Sequence, residues 1–458
     1  MTMADSLERL LAAAGVVVAW IALCVAIYLS ERRRRRETAG EAAALAPAST
    51  DGAPVLVAFA SQTGTARTLA WQTARSLHLA GVPSRVLALS EVAAADLQQS
   101  QRVLFLVSTY GEGDAPDNAA GFVRRLMNAR LPLRHLRYGL LAMGDRAYAD
   151  FRGFGLALEQ WLARQGAQPL FERVDVDRGD EAALHDWRHR LGRTVGTRDL
   201  PDWQGPAFER WRLVSRRHLN PGSAGNPIFH VELAWPDGPV PQWQAGDLLQ
   251  VAPPDDPARP REYSIASLPA DGSVHLLVRL ERHGDGTSGK ASGWLGEHAV
   301  PGSVVMARVR AHENFRLGGN AGRPLILIGN GTGLAGLLGL IRARAAAGCG
   351  RIWLLYGERN AASDFHHREL IDAWQRDGVL ERVDRVFSRD QPARRYVQHQ
   401  LSAAADEVRQ WVQAGAAVYV CGSLIGMAAG VDEVLRTSLG PGALDELVES
   451  GRYRRDVY

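Results

Sequence analysis

Hydroxyl-bearing, glycine and aromatic residues gather in a few short stretches of this sequence, and their types suggest what each could bind. Ser61-Gln62-Thr63-Gly64-Thr65-Ala66 sets hydroxyls and a glycine just before a helical stretch. Exposed amides at a helix N-terminus make an anion site, and Ser and Thr add hydrogen bonds. No Lys follows, which excludes an ATP-type phosphate loop. Hydroxyls and amides without cations suit a monophosphate. Thr109-Tyr110-Gly111-Glu112-Gly113 and Gly144-Asp145-Arg146-Ala147-Tyr148, the latter followed by Phe151, each carry an aromatic ring that could sandwich a flat ligand. Arg261-Glu262-Tyr263-Ser264 joins an Arg suited to bidentate pyrophosphate binding with a Tyr that can lie against a ring. Gly289-Lys290-Ala291-Ser292 is a Gly/Ser turn opening a helix, a second anion-binding design. Gly331-Thr332-Gly333 lies in a glycine-rich turn of the kind that takes a pyrophosphate. Ser388, Arg389, Arg394 and Tyr396 put a hydroxyl, two guanidinium groups and a phenol within nine residues, enough to receive a dianionic phosphate; a free ribose would call for a carboxylate instead. A lone Cys at a strand end, Cys421, reads from its surroundings as small core filler.

These stretches fall at the ends of predicted elements. Residues 55–60, 102–108 and 138–143 are apolar strand runs, with a helix over 65–80. Such alternation predicts a parallel sheet covered on both faces, and ligands in open α/β sheets bind at the carboxyl ends of strands. After a Pro/Gly/Asp break at 196–206, short β-like runs at 228–234, 247–252, 274–279 and 303–309 alternate with Pro/Gly turns, which predicts a small barrel. From 323 the α/β alternation returns, with strands at 325–328, 352–356, 382–387 and 418–420.

With the loops in this order, the sequence resembles the diflavin reductase family, a flavodoxin domain fused to a ferredoxin–NADP reductase-like domain. Within it, the flavoprotein of bacterial sulfite reductase and the NADPH–cytochrome reductases are most similar, and residues 312–317 also resemble a stretch of the former. The resemblance covers about 54–458. It implies FMN bound by Ser61, Gln62, Thr63, Gly64, Thr65, Ala66, Thr109, Tyr110, Gly111, Gly113, Gly144, Asp145, Tyr148 and Phe151, with Tyr110 and Tyr148 flanking the ring. It implies FAD bound by Arg261, Tyr263, Ser264, Gly289, Ala291, Ser292 and Tyr458, the terminal aromatic covering the ring until nicotinamide enters. NADPH would lie on Gly331, Thr332, Gly333, Ser388, Arg389, Arg394, Tyr396 and Cys421. Ser264, Cys421, Asp456 and Tyr458 would be the catalytic set that orients nicotinamide on the flavin. The sequence departs from the family at Gly336 and Leu337, where relatives usually carry Pro and an aromatic, at Ser423, where an acid is common, and in lacking the usual helical insertion in the FAD region.

The implied organisation is multidomain α/β. It comprises a transmembrane helix (10–29), a basic stop and tether (30–53) and a flavodoxin-like doubly wound parallel sheet for FMN (54–195). A linker (196–206), an FAD-binding antiparallel β-barrel (207–320) and an NADPH-binding α/β domain (321–458) follow. The uncharged run 10–29 would rise about 30 Å as a helix, a bilayer's apolar thickness. Arg32 to Arg36 follow it, which predicts a single-pass anchor in the inner membrane with the catalytic domains cytoplasmic. Residues 1–36 hold six Arg against three carboxylates, which accounts for the whole net charge of +3 and leaves a neutral body with no argument for nucleic-acid binding. Three scattered cysteines are too few for a disulfide framework or a zinc site, so no metal is expected. The expected activity is NADPH to FAD to FMN to a one-electron haem or iron–sulfur protein at the membrane. The alternatives are direct reduction of a quinone or chelated iron, or a non-catalytic flavin-binding scaffold.

Overall fold

The computed structural model describes residues 54–146, 148, 150–177, 180–195, 207–235, 241–257, 259–440 and 442–458. The first sheet contains β1 (Val55–Ala60), β2 (Ser84–Ala88), β3 (Arg102–Ser108), β4 (Arg137–Gly144), β5 (Gln168–Pro169) and β6 (Val174–Asp177). Its order is β2-β1-β3-β4-β5, all parallel, with β6 on β4. This is the flavodoxin-like winding, whose switch point lies between β1 and β3. The apolar runs are buried on both faces, as the absence of alternation predicts: β1 is fully buried along its length. One face packs Phe105, Phe122 and Trp161, the other Leu77, Leu106 and Trp187. Helix α1 (Thr65–Leu79) opens directly from the loop after β1, started by Gly64 at φ 91°, a left-handed conformation that glycine adopts without steric cost.

The second sheet is antiparallel: β7 (Glu209–His218), β8 (Ile228–Ala234), β9 (Leu248–Ala252), β10 (Arg261–Ser264), β11 (Val274–Arg279) and β12 (Val304–Arg310), in the order β10-β9-β12-β7-β8-β11. Its end strands approach each other, and inward side chains of Trp211, Val231, Leu249, Val278 and Val305 fill the enclosed space. The third sheet is parallel: β13 (Leu325–Asn330), β14 (Ile352–Glu358), β15 (Leu380–Phe387), β16 (Ala417–Gly422) and β17 (Tyr453–Val457), in the order β15-β14-β13-β16-β17. Helix α2 (Leu334–Ala346) leaves the glycine turn after β13 and is buried along most of its length.

One expectation is corrected. Among the described residues no helix is long and apolar enough to cross a membrane, and residues 10–29, expected to do so, lie outside them, as do the tether and linker. The longest described helices have 15 residues each, short of the roughly 20 that a bilayer core requires. The inner-membrane location is therefore withdrawn.

Candidate active site

Three loops meet at the carboxyl ends of β1, β3 and β4. Ser61 and Gln62 are buried. Ser61 Oγ accepts from Ala66 N at 3.2 Å, closing the loop onto the first turn of α1. Asn118 Oδ1 accepts from Ser61 N, and Gln62 exchanges two hydrogen bonds with Asp117, so the segment after the second loop holds the first. Thr109 N donates to Met143 O, tying the second loop to β4. A Cβ on Gly113 would lie 2.8 Å from that of Asp150, and one on Gly144 would lie 1.4 Å from Phe151 O. Gly144 is thus dictated by close backbone approach, and Gly113 by its φ of 118° and the adjacent Asp150 side chain. The guanidinium groups of Arg146 and Arg152 each lie 5.3 Å from the centre of the Phe151 ring. Tyr148 is half-buried, its N donating to Asp145 O. Thr109 Oγ1 and Tyr110 Oη are buried without a hydrogen-bond partner. Buried hydroxyls are normally satisfied, so these two fit a polar ring ligand.

The second cluster is built from three segments far apart in sequence. Strand β17 pairs with β16 so that Asp456 stands beside Cys421. Ser264 Oγ, at the end of β10, donates to Asp456 Oδ2 at 2.7 Å, and Cys421 Sγ donates to the same oxygen at 3.6 Å. All three are buried. Burial, with Asp456 beside it, pushes the Cys421 thiol well above its usual range, so it stays neutral. The glycine turn of β13 lies directly against this group: a Cβ on Gly333 would fall 2.2 Å from Cys421 O. Gly333→Ala is accordingly expected to cost about 1–3 kcal/mol by overpacking, read as a lowered Tm. Gly336, where the family usually carries Pro, faces Cys421 Sγ and Phe315, each 3.1 Å from where a Cβ would stand, so Phe315 fills the room that a side chain would need.

Tyr458 caps the assembly. Its backbone bonds to Gly422 O and Leu424 N, its Oη donates to Thr332 Oγ1 at 3.1 Å, and it is 52 % exposed, so it can move without breaking the core. On β10, Arg261 and Tyr263 are half-buried beside Ser264. Ala291 and Ser292 are buried, and Ser292 Oγ accepts from Glu281 N; a Cβ on Gly289 would lie 2.8 Å from that Oγ. Gly331, at φ 58°, is crowded by the Arg279 guanidinium. At the end of β15 Ser388 is buried while Arg389, Arg394 and Tyr396 are exposed. Asp390 accepts from Asn360 Nδ2 and Ala361 N, which pins the loop that displays both guanidinium groups.

Other contacts carry no local sequence signal. Arg455 donates to Asp117 of the first domain and to Asp432 of the third, and lies 5.0 Å over the Tyr110 ring. Burial opposes its charge, and the two carboxylates outweigh that, so it stays cationic. His312 is fully buried with its Nδ1 3.9 Å from Asp456 Oδ1. Burial holds its pKa down, so it faces Asp456 as a neutral ring. Asp247 positions that segment, accepting from His312 N and from Arg316 Nε and Nη2.

Comparison with known proteins matches these two regions to known families. The flavodoxin family model matches residues 57–188, and the oxidoreductase NAD-binding domain model matches 327–433. Over most of its length the chain is similar to the sulfite reductase [NADPH] flavoprotein alpha-component of Vibrio cholerae, at 28% identity over 90% of this chain and 88% of that protein. The protein of the same name from Neisseria meningitidis is 27% identical over 88% and 89%. The two family models and these relatives together support the diflavin reductase family. The chain is an NADPH-dependent flavoprotein oxidoreductase whose cofactors are FMN, FAD and NADPH. The alignment to the Vibrio flavoprotein runs over 544 positions, more than the 458 residues of this chain, so the relative carries segments that this one lacks.

Proposed function

We propose that this diflavin reductase takes hydride from NADPH at the Ser264–Cys421–Asp456 group and delivers electrons singly, through FMN in the first domain, to a redox protein carrying haem or an iron–sulfur centre. The observation that carries the reading is the convergence of Ser264, Cys421 and Asp456 beside the glycine turn of β13. Bound FAD supplies the conversion of a two-electron donor into one-electron steps. Within the chain, Asp456 fixes the Ser264 hydroxyl and the Cys421 thiol by accepting from both. Cys421 and Gly336 together shape the apolar floor, and Tyr458 closes the site against water until the nicotinamide displaces it. Arg261, Tyr263, Gly289, Ala291 and Ser292 are assigned to FAD. Gly331, Thr332, Gly333, Ser388, Arg389, Arg394 and Tyr396 are assigned to NADPH, with the two arginines on the 2′-phosphate. The loops 61–66, 109–113 and 144–151 are assigned to FMN.

The first domain docks with Tyr110 against Arg455, one residue from Asp456, which supports transfer between the flavins inside the chain. An external acceptor protein would reach the Tyr110 side of the FMN site only after that contact opens. The relatives are named as the flavoprotein component of an NADPH sulfite reductase, and a one-electron protein acceptor fits that description. The test is removal of FMN alone. Flavin reduction by NADPH at the FAD site should continue while reduction of cytochrome c, used as a one-electron probe, is lost. Unchanged cytochrome c reduction would overturn the proposed order. Tyr458→Ala is expected to change the flavin absorption spectrum and to improve the use of NADH relative to NADPH. A spectrum and cofactor ratio equal to wild type would remove its role as the lid.

A further inference from the structure

The exit strand of the β-barrel reaches into the phosphate loop of the first domain. Arg310, the last residue of β12, donates from Nη2 to Thr63 O at 2.6 Å, to Thr63 Oγ1 at 2.7 Å and to Thr65 Oγ1. Its Nη1 pairs with Glu262, the second residue of the Arg-Glu-Tyr-Ser stretch on β10. Only 17 % of the side chain is exposed. Burial draws its pKa down to about 10, which leaves it cationic at neutral pH.

The following residues line the same loop. Asn314 Nδ2 donates to Ser61 O and Gln62 O, both at 2.7 Å, and Ala311 O closes over Gly64, 3.4 Å from where a Cβ would stand. The loop has no cation of its own: residues 61–66 contain none, and Arg67 is paired with Glu313.

The donor chemistry suits an anion. A threonine hydroxyl that accepts from a guanidinium through its oxygen keeps its own hydrogen to donate. The Arg310 contacts therefore orient Thr63 and Thr65 as donors and bring a fixed positive charge to the loop.

We propose that Arg310 is the cation of the FMN phosphate site, lent by the β-barrel, so that recognition of the phosphate depends on docking of the two domains. This rests on the reading of loop 61–66 as the FMN phosphate loop. By linkage, whatever affinity FMN gains from docking, docking gains from FMN. The Arg310–Glu262 pair also joins that loop to the strand carrying Arg261, Tyr263 and Ser264.

Full-length protein freed of FMN and retaining FAD is titrated with FMN and with riboflavin, which has the same ring and no phosphate. Arg310→Gln should weaken FMN by about ten- to a hundredfold, the effect of losing hydrogen bonds to a charged group, while riboflavin changes less than about twofold. Arg310→Lys, which keeps the charge and loses the fork, should recover part of the loss. An unchanged FMN-to-riboflavin ratio in Arg310→Gln, including an equal loss for both, would make Arg310 a docking contact only and overturn the inference. Wild-type protein that takes up no FMN would overturn the reading of the loop itself, and this inference with it.

Discussion

Asp456→Asn should slow NADPH-driven flavin reduction by about 10²-fold, with the KM for NADPH changed by less than about twofold. Asp456 Oδ2 is the common acceptor for Ser264 Oγ and Cys421 Sγ, and an amide removes the negative charge that holds both while bringing its own N–H donors into a buried site. Both side chains then turn, and misplacement of reacting groups by about 1 Å can cost 10²-fold in rate. Because the site orients rather than anchors the cofactor, the loss falls on kcat. Stopped-flow absorbance at saturating NADPH reads it directly. Burial keeps Cys421 a neutral thiol, so the wild-type rate should show no break from thiol ionisation between pH 7 and 9. A fall in rate there that disappears in Cys421→Ser would contradict that state. An Asp456→Asn protein that is reduced at the wild-type rate would remove Asp456 from the site.

Arg389→Ala combined with Arg394→Ala should cut the preference for NADPH over NADH by about 10²-fold, almost wholly through KM for NADPH. Both guanidinium groups are exposed on a loop pinned by Asp390, so their loss removes charge without emptying a core. Hydrogen bonds to a charged group contribute about 1.5–3 kcal/mol each, and exposure puts the expected effect at the low end for each. NADH kinetics should be nearly unchanged. Equal kcat/KM ratios in variant and wild type would displace the 2′-phosphate site from this loop.

How much of this was legible in the sequence depends on distance along the chain. The central strands of the first and third sheets were legible because they are unbroken apolar runs: β1 and β16 are buried residue for residue, whereas β2, β6 and β17 carry charged residues and gave no such run. The ligand loops were legible because each is local, a few residues at the end of one strand. The meeting of Ser264, Cys421 and Asp456 was expected only from the family resemblance. Their hydrogen bonds span 192 and 35 residues, and nothing in the periodicity pairs them. Arg310 and Arg455 were not legible at all. Their partners in the first domain lie 247 and 338 positions away, and in a chain with a single Lys one more Arg is no signal. His312 lies in a stretch whose resemblance was visible, yet its place against Asp456 follows from the Asp247–Arg316 pair that folds the segment. The departure at Gly336 likewise has its reason across the domain boundary, in Phe315.

The central claim is two flavins acting in series behind one NADPH site. It is tested most directly by measuring the flavin content of the purified full chain and following its anaerobic reduction by NADPH in a stopped-flow instrument. One FMN and one FAD per chain are expected, with FAD reduced first and FMN following, and with the second phase lost when FMN is removed. A single flavin per chain, or an FMN that NADPH does not reduce, would contradict it.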